Sequence, residues 1–368
     1  MKMYFGLDVH SKTTFVHAQD GEGATIYSGE IATTVEAFDK LFAQLAPPEQ
    51  TEVAMESGSM TAFVAGIVHA QGLVPVVISA AEVRAKARRV GQKSDSRDAF
   101  EICDGWRRGV YTQIVWVPTP EVAELRMLLA ARQSFVSDRV SAINRFKALI
   151  RGEGLAPKGP WTLTSEKSWE KALKLAGTQG TLAMIAREHF AAWKRAEESV
   201  KALTASIEAA VTESFPEEIE LLQSVPSVGL LVGAGFLAAI GDVSRFVDSS
   251  HVSSYLGLVP STYDSGGKER HGRITRRGNP YTRALLCQSA QHASQARNPF
   301  NPYFRRLAAT KGRKRAVVAV ANRLARVLYQ VLKTKKKFDV KYLGVEFRPE
   351  TKTKKVYYHQ RKTVKAAC

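Results

Sequence analysis

The order of short apolar runs in the first hundred residues restricts the fold more than any other feature of this chain. MYFGLDV, TTFVHAQD and TIYSGEIA each read as a strand, and GEG separates the last two. Short apolar runs joined by tight glycine turns predict a three-stranded meander. VEAFDKLFAQLA then carries apolar residues at helical spacing (Phe38, Leu41, Phe42, Leu45), and a Pro-Pro pair stops it. TEVAMES reads as a strand, MTAFVAGIVHAQG as a helix ending before Gly72, and LVPVVIS as another strand. RAKARRVGQK is a basic connector, and a helix is expected from about Asp95 to Trp106.

Three hairpin strands followed by alternating helix and strand is the order of an RNase H-like α/β domain. That order gives meaning to four carboxylates. Asp8 lies on the first strand among apolar neighbours, where a charge is costly without compensation. Glu56 ends the fourth strand. Asp95 and Asp98 are three residues apart, on one helix face. In such a sheet the first and fourth strands are neighbours, and the helix after the fifth crosses the same end, so the four converge. Converging carboxylates repel unless a hard cation neutralises them. Mg2+, with Mn2+ as the alternative, takes oxygen ligands and keeps waters for a phosphate. Two such ions can polarise a phosphodiester. Plainer readings exist for single residues: Asp95 as a helix N-cap, Glu56 as a solvated strand end. His10, His251 and His271 are candidate proton carriers.

Beyond the α/β region, EVAELRMLLAARQSFVSDRVSAINRFKALI reads as one long helix from Pro120 to about Arg151. Its apolar stripe is Leu125, Leu128, Leu129, Val136, Val140, Ile143 and Leu149. A second amphipathic helix is expected from about Glu188 to Glu213. The two suggest an antiparallel pair, packed internally or used as a dimer arm. Near Ile219 a helical region begins, with a VPSVG turn at Val225–Gly229 of helix-hairpin-helix type. Such turns contact phosphates through backbone amides. Ser227 stands where glycine is common, which leaves packing as the alternative role. The expected divisions are 1–118 (α/β, acidic site), 119–215 (helical, coiled-coil), 216–334 (mostly helical) and 335–368 (basic tail).

Charge narrows the function class. The chain has 53 Lys plus Arg against 35 Asp plus Glu, a net charge of +18. Lys311–Cys368 alone holds 18 basic residues and 3 acidic ones. A concentrated basic surface points to nucleic acid, with a solubilising tail as the bland alternative. Arg84, Lys86, Arg88, Arg89 and Lys93 precede the acidic pair, where cations would let a phosphate backbone approach. Three cysteines fit no disulfide framework, and no signal peptide or membrane span is expected, so a cytoplasmic, nucleoid-associated location is expected.

The stretch YDSGGKERHGRITRRGNP, Tyr263–Pro280, places Ser265 directly before two glycines and a run of cations: Lys268, Arg270, Arg273, Arg276 and Arg277. Serine and glycine are common turn residues. A serine hydroxyl can also be a nucleophile once a base or metal takes its proton and cations hold the phosphorane charge. Ser261 is the rival serine.

GLDVHSK, AMES, KSDSRDA and YLGLVPSTYDSGGKERHGRITRRGNPYTRALL, in this order, resemble the DEDD transposases of bacterial insertion sequences. These are the bridge-RNA-guided recombinases, related to Piv-type DNA invertases. The resemblance covers about residues 3–334. It implies Asp8, Glu56, Asp95 and Asp98 as magnesium ligands of a RuvC-like domain and a coiled-coil dimerisation region. It implies Ser265 as a nucleophile forming a covalent 5′-phosphoserine link. The implied partners are double-stranded donor and target DNA, a structured noncoding bridge RNA, and further copies of the chain as dimer and tetramer. A water-using RuvC-like endonuclease or junction resolvase is the competing enzyme class, and a nucleic-acid-binding protein without chemistry is the other.

Overall fold

The computed structural model describes residues 2–49, 51–86, 94–159, 161–265 and 268–343, with the backbone alone for 262–271. The chain forms two compact units, Met1–Pro118 and Thr119–Cys368.

The first unit is built on a six-stranded sheet of order β3-β2-β1-β4-β5-β6. β1 (Met3–Val9), β2 (Thr13–Asp20) and β3 (Thr25–Ala32) form the antiparallel meander. β4 (Glu52–Glu56) runs parallel to β1, and β5 (Val74–Ile78) parallel to β4. A short β6 (Ile114–Val115), absent from the expected elements, closes the edge antiparallel to β5. Two residues carry too little pattern to be seen in sequence.

Strand alternation divides the side chains between two layers. Phe5, Leu7, Val53, Met55 and Val77 pack on α1 (Val35–Leu45) and α2 (Thr61–Ala70). The start of the basic connector is itself helical, as α3 (Ala80–Lys86). On the opposite face, Ala54, Val76 and Ile78 meet Ile102 of α4 (Asp95–Arg107) and Tyr111. Each fully buried large apolar side chain contributes about 1.5–3 kcal/mol.

The second unit opens with a long helical pair, α5 (Pro120–Gly152) and α7 (Gly180–Ser214). Between them lies α6 (Glu166–Leu173), and α7 begins at Gly180 rather than near Glu188. Trp169 of α6 explains both additions. It is fully buried against Phe146, Phe190 and Trp193, an aromatic cluster that extends the pair. The expected stripe of α5 is only partly inside. Leu125 and Leu129 are buried, but Val140 is 47% exposed. The middle of the seam is polar instead: Arg132 Nε donates to Thr204 Oγ1 at 2.8 Å, and Arg139 pairs with Glu197 at 2.7 Å.

The rest of the unit follows as α8 (Pro216–Gln223), α9 (Leu230–Ile240) and α10 (Ser249–Tyr255). Then come the hairpin β7 (Pro260–Ser265) and β8 (Lys268–Ile274), and α11 (Pro280–Ala290), α12 (Asn301–Lys311) and α13 (Arg313–Thr334). α9 is buried from Gly233 to Ile240 and lies in one core with α13. The VPSVG turn packs inward, with Val225 and Val228 buried. Past α13 the expected tail is not wholly separate. Leu343 is buried, and Phe338 stacks on Phe300.

Candidate active site

One glycine lets the acidic site form. Gly6 and Asp8 share a face of β1, the face that α4 covers. A β-carbon on Gly6 would lie 2.3 Å from the Ala99 carbonyl oxygen and 2.4 Å from the Cys103 backbone nitrogen. The helix therefore rests directly on the strand backbone. Cys103 Sγ donates to the Tyr4 carbonyl at 3.2 Å. Burial pushes this thiol up to about 12, so Cys103 is a packing residue. From that contact α4 runs back along β1, bringing its first turn to the end of the strand where Asp8 sits.

There the ligand atoms of Asp8, His10 and Asp95 all lie within 4.8 Å of one another. His10 Nε2 is 3.3 Å from Asp8 Oδ2 and 3.6 Å from Asp95 Oδ1. The Asp8 side chain is 16% exposed, while His10 and Asp95 open to solvent. Glu56 and Asp98 stand outside this group. Glu56 is placed beside Asp8 by the parallel register, which pairs Leu7 with Met55 one residue earlier. Asp98 is half-buried in the first turn of α4, after Asp95. The side chain of Ser94 makes no cap bond to this helix.

His10 belongs to this cluster, although the sequence suggested only a proton carrier. The signal was there: Asp-Val-His places the two polar residues two apart, on one side of an extended chain. The donor set of carboxylate oxygens and one imidazole suits a small divalent cation, and the imidazole widens the choice beyond magnesium.

The expected basic contacts have mixed placements. Arg84 is exposed, with Nε on the Ala80 carbonyl. Lys86 is committed inside the unit: its Nζ lies 2.5 Å from Glu82 Oε1 and also donates to the Val110 carbonyl. Glu82 is only 4% exposed and accepts from the backbone amides of Thr112 and Gln113. This network accounts for Lys86 without a nucleic-acid role. Arg88, Arg89 and Lys93 lie outside the described residues.

Ser265 lies in the second unit. It is the last residue of β7 and pairs with Lys268, the first of β8, across Gly266–Gly267. Arg270 pairs with Tyr263. Ser261 hydrogen-bonds the Arg273 carbonyl through its hydroxyl at 3.1 Å. Arg273, Arg276 and Arg277 are exposed. The segment after β8 is clamped: a β-carbon on Gly257 would meet the Arg277 carbonyl oxygen at 2.3 Å, and one on Gly278 the Tyr255 carbonyl oxygen at 2.1 Å. Both glycines have positive φ, of 67° and 71°. Arg283 bonds the carbonyls of Leu256 and Arg277, fixing the backbone that presents the arginines.

A mixed α/β unit with clustered acids, joined to a basic, mostly helical unit, defines the class of nucleic-acid-processing enzymes. A family model for DEDD transposases of the IS110 type, described as "Transposase", matches residues 5–153. A second, described as "Transposase IS116/IS110/IS902 family", matches residues 219–305. The chain is 26% identical to the transposase for insertion sequence element IS1111A of Coxiella burnetii, over 65% of this chain and 66% of that protein. It is 24% identical to an insertion element IS116 protein of Streptomyces clavuligerus, over 92% and 96%. It is 29% identical to the pilin gene-inverting protein of Moraxella bovis, over 35% and 41%. The chain belongs to the IS116/IS110/IS902 transposase family and is a DNA transposase. Among the described residues no helix is long and apolar enough to cross a membrane.

Proposed function

We propose that this transposase cuts and rejoins DNA through Ser265, with Asp8, Glu56, Asp95 and Asp98 of a RuvC-like domain holding Mg2+ or Mn2+. The observation that carries the reading is the meeting of Asp8, His10 and Asp95 ligand atoms within 4.8 Å, at the end of a strand whose parallel neighbour ends in Glu56. When bound there, the cation would neutralise the carboxylates and polarise a phosphodiester. Asp8, Asp95 and the imidazole of His10 would hold the cation, with His10 Nε2 as the nitrogen donor.

Ser265 Oγ would bond to phosphorus as the phosphorus–O3′ bond breaks. The serine loses a proton and the departing 3′-oxygen gains one, leaving a 5′-phosphoserine link. Attack by another 3′-hydroxyl reverses the step, so rejoining requires no external energy source. Exposed Arg273, Arg276 and Arg277 would hold the flanking phosphates. Partner choice through a structured bridge RNA, and assembly as dimer and tetramer on donor and target DNA, complete the reading on the family resemblance.

The division into two units supports a second reading. The acidic cluster lies wholly within Met1–Pro118, as a water-using endonuclease would require. Ser265→Ala separates the two. Loss of strand cleavage and of a denaturation-resistant protein–DNA adduct supports the serine, and wild-type cleavage by the variant sinks it.

A further inference from the structure

From Arg270 to Phe338 the sequence contains 18 Lys plus Arg and not one Asp or Glu. Glu269 and Asp339 flank the stretch, but the cations in its interior have no carboxylate close to them along the chain. In the folded unit two of them, Arg323 and Arg326, line a cavity of about 430 Å³ beside α13. Its walls include Arg323, Arg326, Asn322 and Gln330 of α13, Tyr303 of α12, and Tyr342.

The guanidiniums are held in place. Arg323 lies over the Tyr303 ring, 4.7 Å from its centroid, and donates to the Leu343 carbonyl. Arg306 lies over the same ring at 5.5 Å. Arg326 donates through Nε to Ser249 Oγ at 3.1 Å, which leaves its two terminal nitrogens for another acceptor. Partial burial and the neighbouring Arg306 and Arg326 both work against the charge on Arg323. Among the described residues, no carboxylate pairs with Arg323 or Arg326. Like charges gathered this way are relieved by a bound anion.

The walls then say which anion. Aromatic rings beside arginines are the surfaces on which bases stack. Side-chain amides such as those of Asn322 and Gln330 can meet base edges. The volume is that of a site for one small ligand. Bases locked in a duplex cannot enter such a cavity, whereas an unstacked one can.

We propose that this cavity receives one unpaired nucleotide of a nucleic-acid strand, with its phosphate on Arg323 and Arg326 and its base or sugar against the tyrosines. The inference rests on the chain being a nucleic-acid enzyme, but not on its serine or metal chemistry. It marks the cavity beside α13 as a place where a strand leaves its helix.

The test uses the full chain without catalysis. Fluorescence anisotropy is read with labelled twelve-mers of dT, of U, and of a DNA duplex. Arg326→Gln and Arg323→Gln are compared with Arg313→Gln, a cation at the start of the same helix. The pocket variants are expected to lose about tenfold in single-strand affinity, with a smaller loss on the duplex, and Arg313→Gln to lose equally on both. The preferred twelve-mer tells whether the strand is DNA or RNA. Photocrosslinking with thio-substituted oligonucleotides should label the peptide bearing Tyr303 or Tyr342. Melting curves confirm folding, and exposed Arg326 offers a change with little structural cost. Equal losses on strand and duplex, or crosslinks that map elsewhere, overturn the proposal. Failure here leaves Ser265→Ala to decide the chemistry separately.

Discussion

Gly6 of β1 and Ala99 of α4 are in backbone contact: a single β-carbon on Gly6 would stand 2.3 Å from the Ala99 carbonyl oxygen. Backbone cannot swing aside as a flexible side chain can. Gly6→Ala should therefore lift α4 from the sheet and cost about 1–3 kcal/mol of stability, as overpacking does. Asp95 would move with the helix, away from Asp8 and His10. Chemical denaturation and divalent-cation binding should both register the change. A variant with wild-type stability and cation affinity would refute the positioning role of this contact.

The acidic cluster predicts its own cation dependence. Mn2+ should raise the melting temperature of the wild-type chain, and Asp8→Asn should abolish that rise. DNA strand transfer should fall by about a hundredfold or more in the same variant. His10 makes a finer distinction. Both ions take oxygen ligands, but Mg2+ is the harder of the two and accepts an imidazole nitrogen less readily than Mn2+ does. His10→Gln should lower the affinity for Mn2+ more than that for Mg2+. An unchanged Mn2+ to Mg2+ preference would place His10 outside the coordination shell.

Much of this site could be read before any fold was known, and for a physical reason. Strand order sets which carboxylates are neighbours, and strand order follows from short apolar runs and glycine turns. Asp8 stood out because charge among apolar residues calls for an explanation. What the sequence hid was mostly a matter of long-range partners. Lys86 reads as a cation for a phosphate backbone, because its buried partner Glu82 lies one turn earlier, ahead of the basic connector, on a helix the pattern does not announce. Val140 fits an apolar stripe, yet near it the contact between α5 and α7 is made by Arg132 and Arg139 with polar partners on α7. Polar partners far along the chain leave no periodicity to find. The serine hairpin was similarly opaque: SGG reads as a turn, and only the pairing of β7 with β8 shows that a strand holds Ser265.

Glu82 predicts a pH dependence. Lys86 and the amides of Thr112 and Gln113 hold its carboxyl well below the usual range, at about 2. A carboxylate with a depressed folded-state value stabilises above its unfolded value, near 4.5. That stabilisation is lost as pH falls from about 4.5 towards 2. The melting temperature of the wild-type chain should fall through this window. Glu82→Gln should start lower at neutral pH and show a shallower decline. Parallel curves for the two proteins would mean that other carboxylates govern acid unfolding.

Ser227 predicts the least obvious result. It sits in the VPSVG turn with φ of 71°, the left-handed region where glycine is at ease. Two contacts hold it there: its hydroxyl accepts from Asn298 Nδ2 at 2.9 Å, and its carbonyl accepts from Ser289 Oγ at 2.5 Å. Ser227→Gly relieves left-handed strain of about 1–2 kcal/mol. It also removes one hydrogen bond worth about 0.5–1.5 kcal/mol and loosens the unfolded chain. These effects oppose each other, so urea unfolding should find the variant within about 1 kcal/mol of wild type. Ser227→Val has no such compensation. A β-branched residue is a steric outlier at positive φ, and the Asn298 amide loses its acceptor. Its loss should reach about 2–4 kcal/mol. If the glycine variant lost as much as the valine variant, the hydroxyl rather than the backbone conformation would be what fixes this turn.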